Sequence, residues 1–278
     1  EIFKMAEGLG KGRTEFHMVG GLHPDLPFDY YLEMIHGIKE IHPHLHLKIF
    51  TSTEIRWLAD HVAKMSVEET LGALVRAGLG SLTGGGAEIF AESTRSVICK
   101  GKQSAEDWLD VHRIAHGMGL RSSCTMLYGH VETDEDRVDH MLRLRELQDE
   151  TGGFTTFIPL AFHPDNSQMA DVPGPGGLLD IRNYAAARLL LDNIDHIKAY
   201  WIMVGVPIAQ ISQRFGVDDI DGTVVQEKIY HMAGAQTPQE IGVDEIRRII
   251  EEVGRRPVER DTLYREVKRL GDTWAVKA

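Results

Sequence analysis

Six short runs rich in apolar and β-branched residues alternate with longer helical runs along this chain, and that order leaves few folds open. The strand candidates are Thr14–Gly20, His46–Thr51, Leu79–Leu82, Leu120–Leu127, Phe154–Ala161 and Ile197–Val204. Between them the spacing predicts helices near Phe28–Ile41, Glu54–Ala77 (two helices, the second capped afresh at Ser66), Ser104–Gly117, Asp134–Glu150 and Leu178–Asn193. Ser66-Val-Glu-Glu and Thr133-Asp-Glu-Asp open helices with a hydroxyl for orphan amides and acids on the positive end. Gly78 and Gly119 fall where a helix ends and a strand begins. Strands with so little polar alternation, such as Trp201-Ile-Met-Val, suit a sheet covered on both faces. The expectation is an α/β fold of parallel βα units, one unit short at its front. The 278 residues match the size of one such barrel.

The division expected is a barrel over residues 1–204 and a mostly helical extension over 205–278, with helices at Pro207–Phe215, Val224–Gly234, Val243–Val253 and Thr262–Leu270. Asp171-Val-Pro-Gly-Pro-Gly-Gly177 is fit for neither helix nor strand and reads as an exposed crossing. A formal charge of −12 with no Lys/Arg run argues against nucleic acid. No apolar stretch approaches the roughly 18–20 residues needed to span a bilayer, so no membrane partner is expected. Two cysteines, Cys99 and Cys124, exclude a disulfide framework and point to a reducing cytoplasm.

In parallel barrels the chemistry gathers where strands end. Here the strands run into Gly20-Gly21-Leu-His23, Thr51-Ser-Thr-Glu54, Gly84-Gly-Gly-Ala-Glu88, Tyr128-Gly-His130-Val-Glu132, Phe162-His163-Pro and Tyr200-Trp201. Each feature also has a plain reading. Gly20-Gly21 is either a tight turn or a backbone edge open to a ligand. Gly84-Gly85-Gly86 resembles an anion nest but lacks the Lys and Ser/Thr of a P-loop. Glu54 and Glu88 suit helix N-termini as well as a ligand. Phe157, Phe162 and Trp201 suit either a pocket lining or core. His42, His44 and His46 lead into a strand from the barrel's bottom, and His112 and His116 lack the Glu of a zinc motif, so both sets read as structural. Cys99 and Cys124 read as buried small side chains.

Several strings then resemble a known family. His17-Met-Val-Gly-Gly-Leu-His-Pro24, Gly84-Gly-Gly-Ala-Glu-Ile-Phe90, Thr125-Met-Leu-Tyr-Gly-His-Val-Glu132 and Leu147-Gln-Asp-Glu-Thr-Gly-Gly-Phe154 look like the radical S-adenosylmethionine (SAM) group of aminofutalosine synthase, dehypoxanthine futalosine cyclase and the FO synthase subunits. Phe157-Ile-Pro-Leu-Ala-Phe-His-Pro164, His196-Ile-Lys-Ala-Tyr-Trp-Ile-Met203 and Asp218-Asp-Ile-Asp-Gly-Thr223 are most similar to the aminofutalosine synthase branch, a transferase of menaquinone biosynthesis.

The resemblance implies a partial (βα)6 TIM-like barrel with a helical extension and a [4Fe-4S] cluster that binds SAM. It also implies addition of a 5′-deoxyadenosyl radical to 3-[(1-carboxyvinyl)oxy]benzoate, giving 6-amino-6-deoxyfutalosine. A flavodoxin or ferredoxin would supply electrons. The cluster's C-x3-C-x2-C loop is not in the sequence and is expected upstream of Glu1, so no metal ligand is assigned here. Gly20, Gly21, Glu54 and Glu88 are the implied SAM contacts. His23, Tyr128 and His130 are the catalytic candidates, and Arg188, Lys198 and His163 are candidates for the substrate's carboxylates. The sister cyclase or FO synthase chemistry, a metal-dependent barrel hydrolase and a cluster-less binding protein are the competing expectations.

Overall fold

The computed structural model describes residues 2–9, 12–224, 227–271 and 273–277, with the side chain of residue 9 outside the description. After helix α1 (Ile2–Leu9), strands and helices alternate: β1 (Glu15–Met18), α2 (Phe28–Ile41), β2 (His46–Ile49), α3 (Ser52–Trp57), α4 (Val67–Ala77), β3 (Ser81–Leu82), α5 (Glu92–Ile98), α6 (Ala105–Gly117), β4 (Arg121–Tyr128), α7 (Asp134–Thr151), β5 (Phe154–Ala161), α8 (Gly177–Leu190) and β6 (His196–Ile197). All six strands pair in parallel in the order β1-β2-β3-β4-β5-β6. A π-helical stretch, Leu58–Ala63, continues α3 and ends at Lys64 in the left-handed region.

The local reasons are those of the sequence. Ser66, Ser104 and Thr133 each close a reciprocal capping box at the start of α4, α6 and α7. Gly78, with φ 122°, and Gly152, with φ 60°, end α4 and α7 in conformations that a side chain resists. Alternation along the strands then builds two environments. Leu47 and Ile49 of β2 join Ile35 and Ile38 of α2 in one apolar layer, and Cys124, Met126 and Tyr128 of β4 join Trp108, Met141 and Leu144 in another. The opposite faces of the strands, with Glu15, His17, His46, Lys48, Ser81 and Lys198, turn to the barrel interior.

Beyond β6 the structure departs from three expectations. The strand expected over Ile197–Val204 stops at Ile197, and Trp201–Val204 forms a helical turn, α9. An apolar run of this length fits a buried helix as well as a strand. Here the Trp201 indole donates to the Gly222 carbonyl at 3.1 Å and anchors the turn.

Short helices follow at α10 (Val206–Ser212), α11 (Ile229–Met232) and α12 (Val243–Glu251). The helix expected over Val224–Gly234 is thus limited to Ile229–Met232, while residues 225 and 226 lie outside the described residues. The helix expected over Thr262–Leu270 is instead a turn and a β-hairpin, β7 (Val267–Leu270) with β8 (Thr273–Val276). Asp261 decides this: its carboxylate takes the amides of Leu263 and Arg265, both at 2.9 Å, and Tyr264 sits at φ 61°. Among the described residues no helix is long and apolar enough to cross a membrane.

The segment after α10 also extends the barrel wall. Asp219 pairs in parallel with Lys198, and the Ala199 amide donates to the Asp219 carbonyl at 2.8 Å. From the other edge Arg13, just before β1, reaches the Thr223 hydroxyl at 3.4 Å. Residues 219–223 therefore lie between the sheet's two edge strands.

Candidate functional site

The strand ends converge as parallel topology requires, and the first two loops are tied to each other there. Glu54, in the first turn of α3, is 7% exposed. Its Oε1 accepts the Gly20 amide at 2.8 Å and its Oε2 the Thr51 amide at 2.7 Å. Burial pushes the Glu54 carboxyl above its ordinary range, while these backbone bonds pull the other way. Each carboxylate oxygen keeps a second lone pair. Gly21 beside it leaves open space, since a Cβ there would meet nothing within 4 Å.

The third loop is packed into its surroundings. A Cβ on Gly84 would come within 2.8 Å of the Cys124 Cα, and Gly86 adopts φ 83° against Thr53. The buried Arg95 guanidinium binds the carbonyls of Ala87 and Ile89, and the Trp108 indole binds that of Gly85. Glu88, at φ 48°, forms an ion pair with Lys102 at 2.6 Å.

The expected catalytic trio is dispersed. Tyr128 is fully buried in the helix-facing layer and its hydroxyl donates to Asp180 of α8 at 2.7 Å. His130 locks its own loop. Its Nδ1 accepts the Val131 amide at 2.8 Å, so its Nε2 is the donor to the Leu127 carbonyl at 3.1 Å. Glu132 completes that loop, taking the amides of Gly129 and His130 and the Arg137 guanidinium. His23 is exposed beyond β1, where its Nδ1 accepts the Asp25 amide at 3.2 Å.

The three substrate candidates also separate. His163 holds the Met203 carbonyl at 3.0 Å beside a cavity of about 340 Å³ bordered by Phe162, Gly174, Pro175, Asp180 and Ile208. Arg188 binds the carbonyls of Gly216 and Asp195 and the Asp218 carboxylate, at the end of β6 where the strand begins. That end is opposite to the one where the loops converge. Only Lys198 of the three faces the barrel interior, where its ammonium lies 3.1 Å from Asp221 and 3.8 Å from Asp219.

Around Lys198 the interior holds a charged cluster that the loop-based reading missed. Asp219 accepts from Arg260 and from the Tyr264 hydroxyl, both at 2.5 Å. Although burial pushes its carboxyl up, Arg260, Lys198 and the Tyr264 bond hold it well below the usual carboxylate range. Lys48 sits level with His17 on β1 and with Ser81 on β3. Burial first, and then the Lys198 ammonium, push the Lys48 amine down to about 8. His17 is open to solvent, yet the protein around it first, and Lys48 second, push its imidazole down to about 4. A period-2 reading carries the signal: a lysine between Leu47 and Ile49, whose side chains pack on helices, faces the other way.

The other candidate groups resolve into structure. His112 and His116 both turn to the Ser122 hydroxyl, at 2.9 and 2.8 Å, and His42 turns to the Ala6 carbonyl. Phe157 and Trp201 are fully buried in the core. Cys99 ends α5 and Cys124 lies in β4, both buried. Burial raises both thiols above their ordinary range, the opposite of what a thiolate ligand needs. Among the described residues no three His, Cys, Asp or Glu side chains gather as metal ligands. These residues therefore do not fit a four-iron cluster, whereas the open backbone at Gly20-Gly21 beside Glu54 does fit an ammonium group such as SAM carries.

Comparison with known proteins gives this geometry a context. Residues 1–144 match the radical SAM superfamily and residues 151–271 match the CofH/MqnC C-terminal region. The chain is 52% identical over 261 residues to a Thermus thermophilus protein, aminodeoxyfutalosine synthase, covering 92% of this chain and 70% of that one. With the Streptomyces coelicolor protein of the same name it shares 44% over 276 residues, covering 95% and 71%. With the 5-amino-6-(D-ribitylamino)uracil–L-tyrosine 4-hydroxyphenyl transferase of Methanopyrus kandleri it shares 40% over 270 residues, covering 95% and 73%. Among solved structures, methylornithine synthase superposes with a TM-score of 0.65 at 15% identity, covering 93% of this chain and 73% of that one, a likeness of fold alone.

Proposed function

The chain belongs to the radical SAM superfamily, and from that premise we propose that it makes 6-amino-6-deoxyfutalosine from SAM and 3-[(1-carboxyvinyl)oxy]benzoate. It is a radical SAM enzyme, and the identity shared with the T. thermophilus synthase over nearly the whole chain is the observation that carries the substrate. With a cluster held by ligands outside these residues, SAM would supply the 5′-deoxyadenosyl radical for this family's chemistry. The cluster's ligands are not among these residues, and the roles proposed below are those of the barrel's own side chains.

Gly20, Gly21 and Glu54 hold the SAM amino group at the mouth of the barrel, with backbone and carboxylate as acceptors. Glu88, held by Lys102, borders the same mouth. Lys198 is a cation of the substrate chamber, set in place by Asp219 and Asp221. His23 reaches the mouth from the first loop. Tyr128, His130 and Arg188 support the fold, because each is bonded to a loop or helix away from the interior. Radical chemistry asks a protein mainly to orient reactants and exclude stray hydrogen donors, and a barrel lined with fixed ion pairs is suited to both. A flavodoxin or ferredoxin in the cytoplasm supplies the electron.

A second reading draws on the similarity to the M. kandleri transferase: hydroxyphenyl transfer from tyrosine on the same scaffold. One experiment separates the two. The full-length gene product, reconstituted anaerobically with its cluster, is given dithionite, SAM and either the carboxyvinyl benzoate or tyrosine with the ribitylaminouracil, and products are read by mass spectrometry. Aminofutalosine from the first mixture alone is the expected result. Product from the second mixture alone replaces the proposal with the transferase reading.

A further inference from the structure

Four Lys or Arg side chains are buried among the described residues: Lys48, Arg95, Arg137 and Lys198. Three have partners. Arg95 is bonded to backbone carbonyls, Arg137 to Glu132, and Lys198 to Asp221. Lys48, only 6% exposed, has no hydrogen-bond or ion-pair partner among the described residues. Its Nζ is not among the fully buried polar atoms left without a partner, so the ammonium tip meets solvent in the interior, where an anion can reach it.

Its surroundings show where that anion would lie. Lys48 shares its sheet face with His46, whose ring bonds the Ser81 hydroxyl at 2.9 Å on the neighbouring strand. On the other side, His17 is level with it and exposed. Of the nearby carboxylates, Asp219 and Asp221 are engaged by Arg260, Tyr264 and Lys198, and Glu15 lies on the same interior face without forming an ion pair with Lys48. Lys48 also lies three residues before Thr51, about 10 Å below the mouth where Gly20 and Glu54 meet. A ligand held there by its amino group would extend other groups downward.

We infer that Lys48 is the anchor for a carboxylate of the substrate inside the barrel, with His17 and Ser81 flanking the bound group. This rests on the proposed reading of the interior as the substrate chamber. The shared chemistry is a carboxylate, and SAM carries one too, so the test must tell the two sources apart. Depth favours the substrate, since Lys48 lies below the level assigned to the SAM amino group.

The test uses the cluster-loaded, full-length protein with Lys48→Met, which removes the charge at similar length, and Lys48→Arg, which keeps it. Calorimetric titration follows binding of SAM, of 3-hydroxybenzoate as a plain aryl carboxylate, of neutral benzamide, and of the carboxyvinyl benzoate. The Met variant should bind both carboxylates about 10- to 100-fold more weakly, as expected for loss of one charge-assisted bond. SAM and benzamide affinities should hold, the Arg variant should recover most of the loss, and in turnover the defect should appear in KM.

The inference is overturned if the Met variant binds carboxylates like the wild type, if wild type binds none, if SAM affinity falls instead, or if kcat drops with KM unchanged. Turnover by the wild type decides the proposed function separately. A wild type that makes no aminofutalosine, yet loses aryl carboxylate binding in Met and keeps it in Arg, retires the substrate and leaves the anchor.

Discussion

Gly20 and Glu54, 34 residues apart, are joined by a 2.8 Å bond from backbone amide to carboxylate, so the loop after β1 and the first turn of α3 move as one piece. The same carboxylate closes the Thr51 capping box. Glu54→Gln puts an amide NH2 opposite either the Gly20 or the Thr51 amide, donor against donor. Loss of about 1–2 kcal/mol of stability is expected. A thermal melt should show a lower Tm, and titration with SAM should show weaker binding; a variant unchanged in both would remove Glu54 from the mouth.

Two glycines on neighbouring loops should separate packing from ligand contact. Gly84→Ala drives a Cβ to 2.8 Å from backbone atoms of Ser123 and Cys124, so a cost of about 1–3 kcal/mol is expected. Gly21→Ala meets nothing within 4 Å and should fold normally. If SAM lies along that edge, Gly21→Ala lowers SAM affinity at unchanged Tm. Equal Tm losses in both variants would contradict this division.

Tyr128→Phe tests whether that hydroxyl supports structure or chemistry. Removing it leaves the Asp180 carboxyl, which burial already pushes above its ordinary range, without its hydroxyl donor. About 1–3 kcal/mol of destabilisation is expected, with turnover in the folded fraction nearly unchanged. A loss of kcat by orders of magnitude at unchanged Tm would restore Tyr128 to the reacting centre.

Acid should unfold the protein through its buried imidazoles. Burial pushes His116 down to about 4 and His140 down to about 3, and His112 well below the ordinary value of 6.5. Between pH 6.5 and about 4 the unfolded chain binds protons at these positions and the folded chain does not. Stability therefore falls as pH falls through that window, by up to about 1.4 kcal/mol per pH unit for each histidine, and the His116 share levels off near pH 4 while that of His140 runs on to about 3. Denaturant melts from pH 7.5 to 4 should show the slope, and His140→Gln, which keeps a donor for the Thr125 carbonyl, should reduce it. An identical slope in that variant would place the proton uptake elsewhere.

The barrel was legible because its determinants are local. Capping boxes at Ser66, Ser104 and Thr133 start helices without help from distant residues, and glycines such as Gly78 end them. The tail was less legible for the converse reason. Trp201–Val204 is helical because an indole finds the Gly222 carbonyl, and Thr262–Leu270 turns because Asp261 captures amides that a helix would have used.

Of the candidate site, the sequence by itself determined which loops meet at the mouth, since parallel strands place their ends together whatever the side chains do. It also brought out Gly20, Glu54 and Lys198. Tertiary structure alone decided what each group does with its bonds. Tyr128 and Cys124 share β4, yet both face the helices, and Arg188 lies at the opposite end of the barrel from the loops. Lys48 has the same character: an ordinary lysine in the sequence, it is set apart because it forms no hydrogen bond or ion pair among the described residues. Strand alternation fixes the face a residue points to, but whether a charge finds a partner there depends on residues far along the chain.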